Sequence, residues 1–152
     1  VGSGGTILTS NNGYTWTNKS SGIEKMLQDV VYRNGVFISV GRGGTIISSS
    51  NGIILDQTLW SKSKNNLNGI TYGNELFVTV GSSGTILTSY DGNNWDKRNS
   101  GTNKTLKKVI YYNGIFITVG FSGTILTSSN GIDWVQRHYS KNLELSDISY
   151  SK

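Results

Sequence analysis

The chain carries nine acidic side chains, four arginines (Arg33, Arg42, Arg98 and Arg137), one histidine and no cysteine. Without Cys there are no thiolate nucleophiles, disulfides or thiolate metal sites. Hydrolysis of a glycoside needs a pair of carboxylates flanking the scissile bond. Asp29 and Asp147 are the acids that fall at matching places of an internal repeat, where Gly69 and Lys108 fill the other two slots. Those two carboxylates either face one another or solvate a channel. His138 stands between Arg137 and Tyr139, and no motif places an acid beside it, so it reads as a surface residue. No His, Asp and Glu residues show metal-ligand spacing. The expectation is a chain without cofactor or catalytic activity.

The elements that must position these groups follow from the repeat. "VGSGGTILTS" at Val1 returns as "VGRGGTIISS" at Val40, "VGSSGTILTS" at Val80 and "VGFSGTILTS" at Val119, at intervals of 39, 40 and 39 residues. Leu27, Leu67, Leu106 and Leu145 keep step, as do Tyr32, Tyr72, Tyr111 and Tyr150. Phe37, Phe77 and Phe116 follow the first three tyrosines, and Trp16, Trp95 and Trp134 share a slot that Leu55 fills in the remaining unit. Such self-similarity marks stacked supersecondary units. Each unit reads as four short strands rich in Val, Ile, Thr, Tyr and Phe. Asn-Gly and Asp-Gly pairs, which tolerate positive φ, supply the hairpins. The sequence therefore predicts an all-β β-propeller of four-stranded antiparallel blades, spanning 1–152 as one domain or propeller section. The blades fall at about 27–66, 67–105 and 106–144, and a further blade is shared between 1–26 and 145–152. The ends either meet to close a four-bladed ring or belong to a larger propeller. An open stack leaves apolar edges that invite self-association.

The chain has 152 residues, 35% of them apolar, with 20 Gly, no Pro and a net charge of +5. No apolar run approaches the roughly 20 residues of a membrane span. The basic residues are dispersed, apart from Lys104, Lys107 and Lys108, without the aromatic-laced stripe of a nucleic-acid binder. Richness in Asn, Lys and Ile fits a bacterial, AT-rich source. The first residue is Val, which reads as a processed or excised product. Asn18 and Asn103 head sequons that matter only in a eukaryotic secretory pathway.

"TSNNGYTW", "TSYDGNNW" and "TSSNGIDW" resemble the Asp-box, or bacterial neuraminidase repeat, whose pattern is Ser/Thr, any, Asp, any, Gly, any, any, Trp. Thr9, Asn11, Gly13 and Trp16 match with Asn for Asp. In the third and fourth units Asp91 and Asn130 stand one place later. The second unit keeps Ser48 and Gly52 but has Leu55 for Trp. The wider unit also resembles photosystem II assembly-factor propellers and bacterial exported propellers. The resemblance implies that the Asp-box is a structural turn between third and fourth strands. A sialidase of that family would need an Arg trio, a Tyr nucleophile and an early Arg-Ile-Pro motif, and this chain has no Pro.

Strand order puts first-to-second and third-to-fourth turns on one rim. Second-to-third turns and unit-to-unit links share the other, more variable rim, where ligand contacts are expected. Arg42 and Phe121 break the small-residue habit of the "VGxxG" turns there. Trp60 and Tyr139 occupy linker positions that hold Ser21 and Ser100 in the other units, with Arg137 close by. Aromatics so placed suit stacking on sugar rings or anchoring a partner. The leading expectation is a non-catalytic, secreted or cell-surface bacterial module that recognises a glycan or surface polymer through Trp60, Tyr139, Arg42, Phe121 and Arg137. The alternative is a protein-interaction or assembly scaffold. A section of a glycoside hydrolase comes third.

Overall fold

The structure is a computed structural model that describes residues 1–50, the backbone of 57–60, and residues 63–137 and 143–151. Alternation of β-formers with hydroxyl residues produces three four-stranded antiparallel sheets, each a simple meander. The first comprises β3 (Leu27–Arg33), β4 (Val36–Gly41), β5 (Thr45–Ser49) and β6 (Gln57–Trp60). It is preceded by a two-stranded sheet of β1 (Ile7–Thr9) and β2 (Thr17–Lys19). The second holds β7 (Leu67–Gly73), β8 (Leu76–Gly81), β9 (Ile86–Ser89) and β10 (Asp96–Arg98). The third holds β11 (Leu106–Tyr112), β12 (Ile115–Gly120), β13 (Ile125–Ser128) and β14 (Val135–Arg137). Each four-stranded sheet lies within one of the repeat spans 27–66, 67–105 and 106–144.

The repeated ten-residue phrase is a strand end, a 3-10 turn and the next strand. The turns are Ser3–Gly5, Arg42–Gly44, Ser82–Gly84 and Phe121–Gly123. The Thr after three of them locks the turn, Thr6, Thr45 and Thr124 each donating Oγ1–H to the carbonyl three residues back at 2.7–2.8 Å. The last Gly is obligatory: at Gly84 φ is +66° and a Cβ would lie 1.9 Å from the Thr102 carbonyl oxygen.

Blades pack face to face. Ile38, Val40 and Ile46 of the first blade meet Leu67, Ile70, Phe77 and Leu87 of the second. Leu76, Val78, Val80 and Ile86 of the second meet Leu106, Val109, Phe116 and Leu126 of the third. Trp95 and Trp134 close these two cores from the turns that lead into the outer strands. The first strands lie side by side, and each has a register shift, at Leu27/Asp29, Leu67/Gly69 and Leu106/Lys108. At every shift a second-strand hydroxyl (Ser39, Thr79 or Thr118) donates to the bulged carbonyl at 2.8 Å.

Those bulges decide the fate of Asp29. Its Oδ2 accepts from the Lys108 ammonium and from the Ile70 N–H, both at 3.0 Å, which joins three successive first strands. Asp29 is thus paired with a cation two blades away, while Asp147 accepts, among the described residues, from the adjacent Ile148 N–H at 2.8 Å. The expected alternatives for Asp29, facing Asp147 or solvating a channel, give way to an ion pair. The Lys104–Lys107–Lys108 cluster is also divided, because Lys107 lies over the Phe121 ring at 4.5 Å.

The blade expected from 1–26 and 145–152 is present as β1–β2 and an irregular segment. The strand expected after Leu145 is not formed. Residues 143–151 lie against the third blade: Gly123 N–H donates to Leu143, Leu145 N–H donates to Gly120, and Tyr150 stacks on Tyr112 at 4.0 Å. A first strand is held straight by its second strand, and among the described residues none pairs with this segment.

The Trp-bearing turns also correct the expected alignment. The bonding hydroxyls are Ser10, Ser89 and Ser128, whose Oγ accepts the Gly13, Gly92 and Gly131 N–H at 2.8 Å. The turn-holding Asx of the first unit is Asn12, not Asn11, and it stands in step with Asp91 and Asn130. Thr88 and Thr127 instead accept from the Nε of Arg98 and Arg137 at 2.8 Å. Asp91 accepts from the Asn94 N–H and side-chain amide, the Asn93 N–H and the Ser89 hydroxyl. The Asn94 N–H contributes most to holding its carboxyl well below the usual carboxylate range. A depressed pKa means stability that is complete above the unfolded value, about pH 4, and lost as pH falls below it. Asn12 and Asn130 hold the same turn with an amide. Asp91→Asn is therefore expected to leave the urea midpoint at neutral pH nearly unchanged and to flatten its fall toward about pH 3, read by denaturation at both pH values.

Candidate functional site

On the hairpin rim, the ends of the first strands of all three blades surround an open cleft of about 970 Å³. Its walls are Val31 to Asn34, Thr71 to Glu75, Tyr90 and Tyr111. Three repeat positions supply its tyrosines. Each is braced by the Phe across its hairpin: Tyr32 on Phe37, Tyr72 on Phe77 and Tyr111 on Phe116, with ring centroids 4.5–4.6 Å apart. Bracing fixes ring orientation before any ligand arrives, which lowers the entropic cost of binding.

The residue after each Tyr differs between blades, and the differences open the cleft. Arg33 lies 5.3 Å from the Tyr72 ring centroid, a cation–π distance, and Asn34 Nδ2 donates to Tyr72 Oη at 3.3 Å. At Gly73 a Cβ would stand 2.0 Å from Tyr111 Cγ, so only Gly lets the Tyr111 ring lie across β7. Tyr90, on the neighbouring third-to-fourth turn, stands exposed at the edge.

Glu75 is the acidic member of the cleft. The hairpins of the first and third blades use Asn34-Gly35 and Asn113-Gly114, with φ of 53° and 78°, and 47° and 81°. The second uses Asn74-Glu75 at 46° and 59°, which puts an exposed carboxylate in the left-handed region. An L-residue there costs about 1–2 kcal/mol. Glu75→Gly is expected to stabilise the fold by about 1 kcal/mol, measured as a higher urea midpoint at unchanged slope.

Of the residues expected to contact ligand, Arg42, Phe121 and Arg137 lie away from this cleft. Arg42 and Phe121 each open a 3-10 turn, and Phe121 is half-buried beneath Lys107. Arg137 is exposed and spends its Nε on Thr127, as Arg98 does on Thr88. Trp60 is the last residue of β6, paired with Thr45, rather than part of a linker loop. Tyr139 and His138 lie outside the described residues. In the units with Ser at the Trp60 position, Ser21 and Ser100 are buried against Gly5 and Gly84, a slot that takes only a small side chain. Concavities on this linker rim are smaller, about 520 Å³ around Gly4, Ser20 and Ile23 and about 400 Å³ around Ser83, Arg98 and Thr102.

The repeated Asn-Gly hairpins make this rim nearly uniform in sequence, yet Arg33, Gly73 and Glu75 line the cleft. The available signal was the departure from Asn-Gly at Asn74-Glu75, together with the Arg, Gly, Tyr series after the repeated tyrosines.

No known protein-family profile matches the chain, and no curated protein does. Solved structures do. One described as "YCF48 bound to D1 peptide" superposes with a TM-score of 0.62 at 17% identity, covering 74% of this chain and 39% of that one. The WD40 β-propeller domain of Doa1 superposes with a TM-score of 0.57 at 19% identity, covering 92% of this chain and 46% of that one. The chain thus spans less than half of either. These likenesses define the fold as propeller-type, with the repeat character read from the sequence.

Proposed function

We propose that this chain is a non-catalytic interaction scaffold that holds an extended segment of a partner protein in the Tyr32–Tyr72–Tyr111 cleft. The cleft itself carries this reading. It is wide and open, with pre-braced tyrosines for apolar contact and Arg33, Glu75, Asn34 and Asn74 for hydrogen bonds and charge. Tyr and Arg are the residues that dominate protein-recognition energetics. The solved neighbour bound to a peptide supports a protein ligand on this type of scaffold. The glycan reading puts the ligand on Trp60, Tyr139, Arg42, Phe121 and Arg137, and neither likeness supports it.

Panning a random peptide display library against the purified chain, with a glycan array in parallel, tests the proposal. Selected peptides are expected to lose at least about tenfold in affinity for an Arg33→Ala/Tyr90→Ala double variant. Its melting temperature should be unchanged, because both side chains are exposed. Sugar binding with no enriched peptide would overturn the proposal and restore the glycan reading.

A further inference from the structure

Two opposite charges on the tyrosine cleft are left uncompensated by the rest of the molecule. Asp29 is held by Lys108 at 3.0 Å and Asp96 by Arg98 at 3.2 Å, but among the described residues Arg33 and Glu75 form no ion pair. Both side chains are exposed and both line the cleft. Asp91, the acid on the neighbouring turn, spends its carboxylate on the Asn93 and Asn94 N–H groups and the Asn94 amide. Arg33 is held in place without a counter-ion, its guanidinium 5.3 Å from the Tyr72 ring centroid. A guanidinium stacked in this way keeps its N–H fork free for a carboxylate. Glu75 is placed by strained backbone. It stands at φ +59° where the sister hairpins have Gly35 and Gly114. Among the described residues nothing receives its carboxylate, so the strain serves no internal contact. Tyr72 and Glu75 are three residues apart on one hairpin, so at most about 10 Å of backbone separates them. One short extended segment can therefore meet both charges.

We propose that the partner segment of this cleft is dipolar: on one face of an extended chain it carries an Asp or Glu that meets Arg33 and a Lys or Arg that meets Glu75. Same-face side chains of an extended chain recur about every 6–7 Å, so the two charges stand roughly two or four residues apart in the partner. The pair also sets the direction of the segment. Run the other way, it would set like charges against each other, which costs more than a correct exposed pair gains. The dipolar partner rests on the cleft holding a peptide at all, as proposed above, and adds the charge pattern and direction of that peptide.

The test compares the peptides that a random display library yields on the parent chain and on Arg33→Gln, Glu75→Gln and Arg42→Gln. Arg42 lies outside the cleft and controls for the net charge of +5. The parent and Arg42→Gln are expected to enrich an acid and a base two or four positions apart. Glu75→Gln should lose the base and keep the acid, and Arg33→Gln should do the reverse. Glu75→Gly, which removes the carboxylate and relieves the turn, should select as Glu75→Gln does. The tightest parent peptide, resynthesised with its enriched base changed to Glu, should bind the parent at least about tenfold more weakly in a fluorescence-anisotropy titration. Glu75→Lys should restore its affinity. Enriched peptides without the paired charges, or the same pairs selected by both cleft variants, would overturn the dipolar partner and leave the cleft as a peptide site. Loss of the acid in Arg42→Gln would assign it to net charge and overturn the proposal too. No enriched peptide from any chain would overturn the cleft reading itself, and the dipolar partner with it.

Discussion

Replacing Phe116 by Ala is expected to cost about 3–5 kcal/mol, whereas the same change at Phe37 should cost only about 1. The two residues are chemically identical and occupy the same place in the repeat, paired across a hairpin with Tyr111 and Tyr32. Phe116 is fully buried between Val78 of the preceding blade and Trp134 of its own. Its removal leaves a cavity that the four surrounding strands cannot close. Phe37 faces the two-stranded β1–β2 sheet and keeps more than a third of its surface in water. Truncating it forfeits less buried area and leaves an opening rather than a void. Urea denaturation of both variants reads the difference as midpoint shifts at constant slope. Equal losses would mean that the face of the first blade is covered in solution.

Gly73→Ala is expected to cost about 2–3 kcal/mol and to dismantle the cleft in the same step. The added Cβ would fall among Cγ, Cδ1 and Cβ of Tyr111. Tyr111 must then leave its place across β7, which also disturbs its contact with Phe116. Gly69, on the same strand, makes a control. There a Cβ would come no closer than 3.2 Å to the third blade's backbone, so Gly69→Ala should be milder. The prediction for Gly73→Ala is lower stability together with loss of peptide affinity. Glu75→Gly should instead gain stability while altering only the charge of the cleft. Parallel melting and peptide-binding measurements on the variants separate packing from recognition.

Much of the fold was legible because a repeat states each local rule several times. The hydroxyl after three of the "VGxxG" turns, the hairpin Asn-Gly pairs and the Leu, Tyr, Phe and Trp positions of the second and third blades perform the local tasks their chemistry suggests. Where the reading slipped, the cause was a shift of one residue. Asn11 and Asn12 are equivalent in composition, and only the turn geometry shows that the Asn12 carbonyl receives the Tyr14 and Thr15 N–H. Of the unit read from 1–26 and 145–152, β1 and β2 form a pair, and residues 143–151 run without a strand partner among the described residues.

The candidate site was less legible, and the reason is geometric. The linkers differ most on the other rim, and variable loops carry function on many scaffolds. The cleft instead arises on the repeated rim, from small departures inside a conserved pattern: Arg33, Gly73 and Glu75 after or beside the repeated tyrosines. None of them signals a site alone. What the sequence by itself determined is local and periodic: the units, their turns and the residues that face a neighbouring sheet. Only the tertiary structure decided which equivalent residues would be covered and which left open. Burial depends on what packs in front of a side chain, and that neighbour differs from one sheet to the next. Asp29 meeting Lys108 and three tyrosines sharing one cleft follow from the first strands lying side by side.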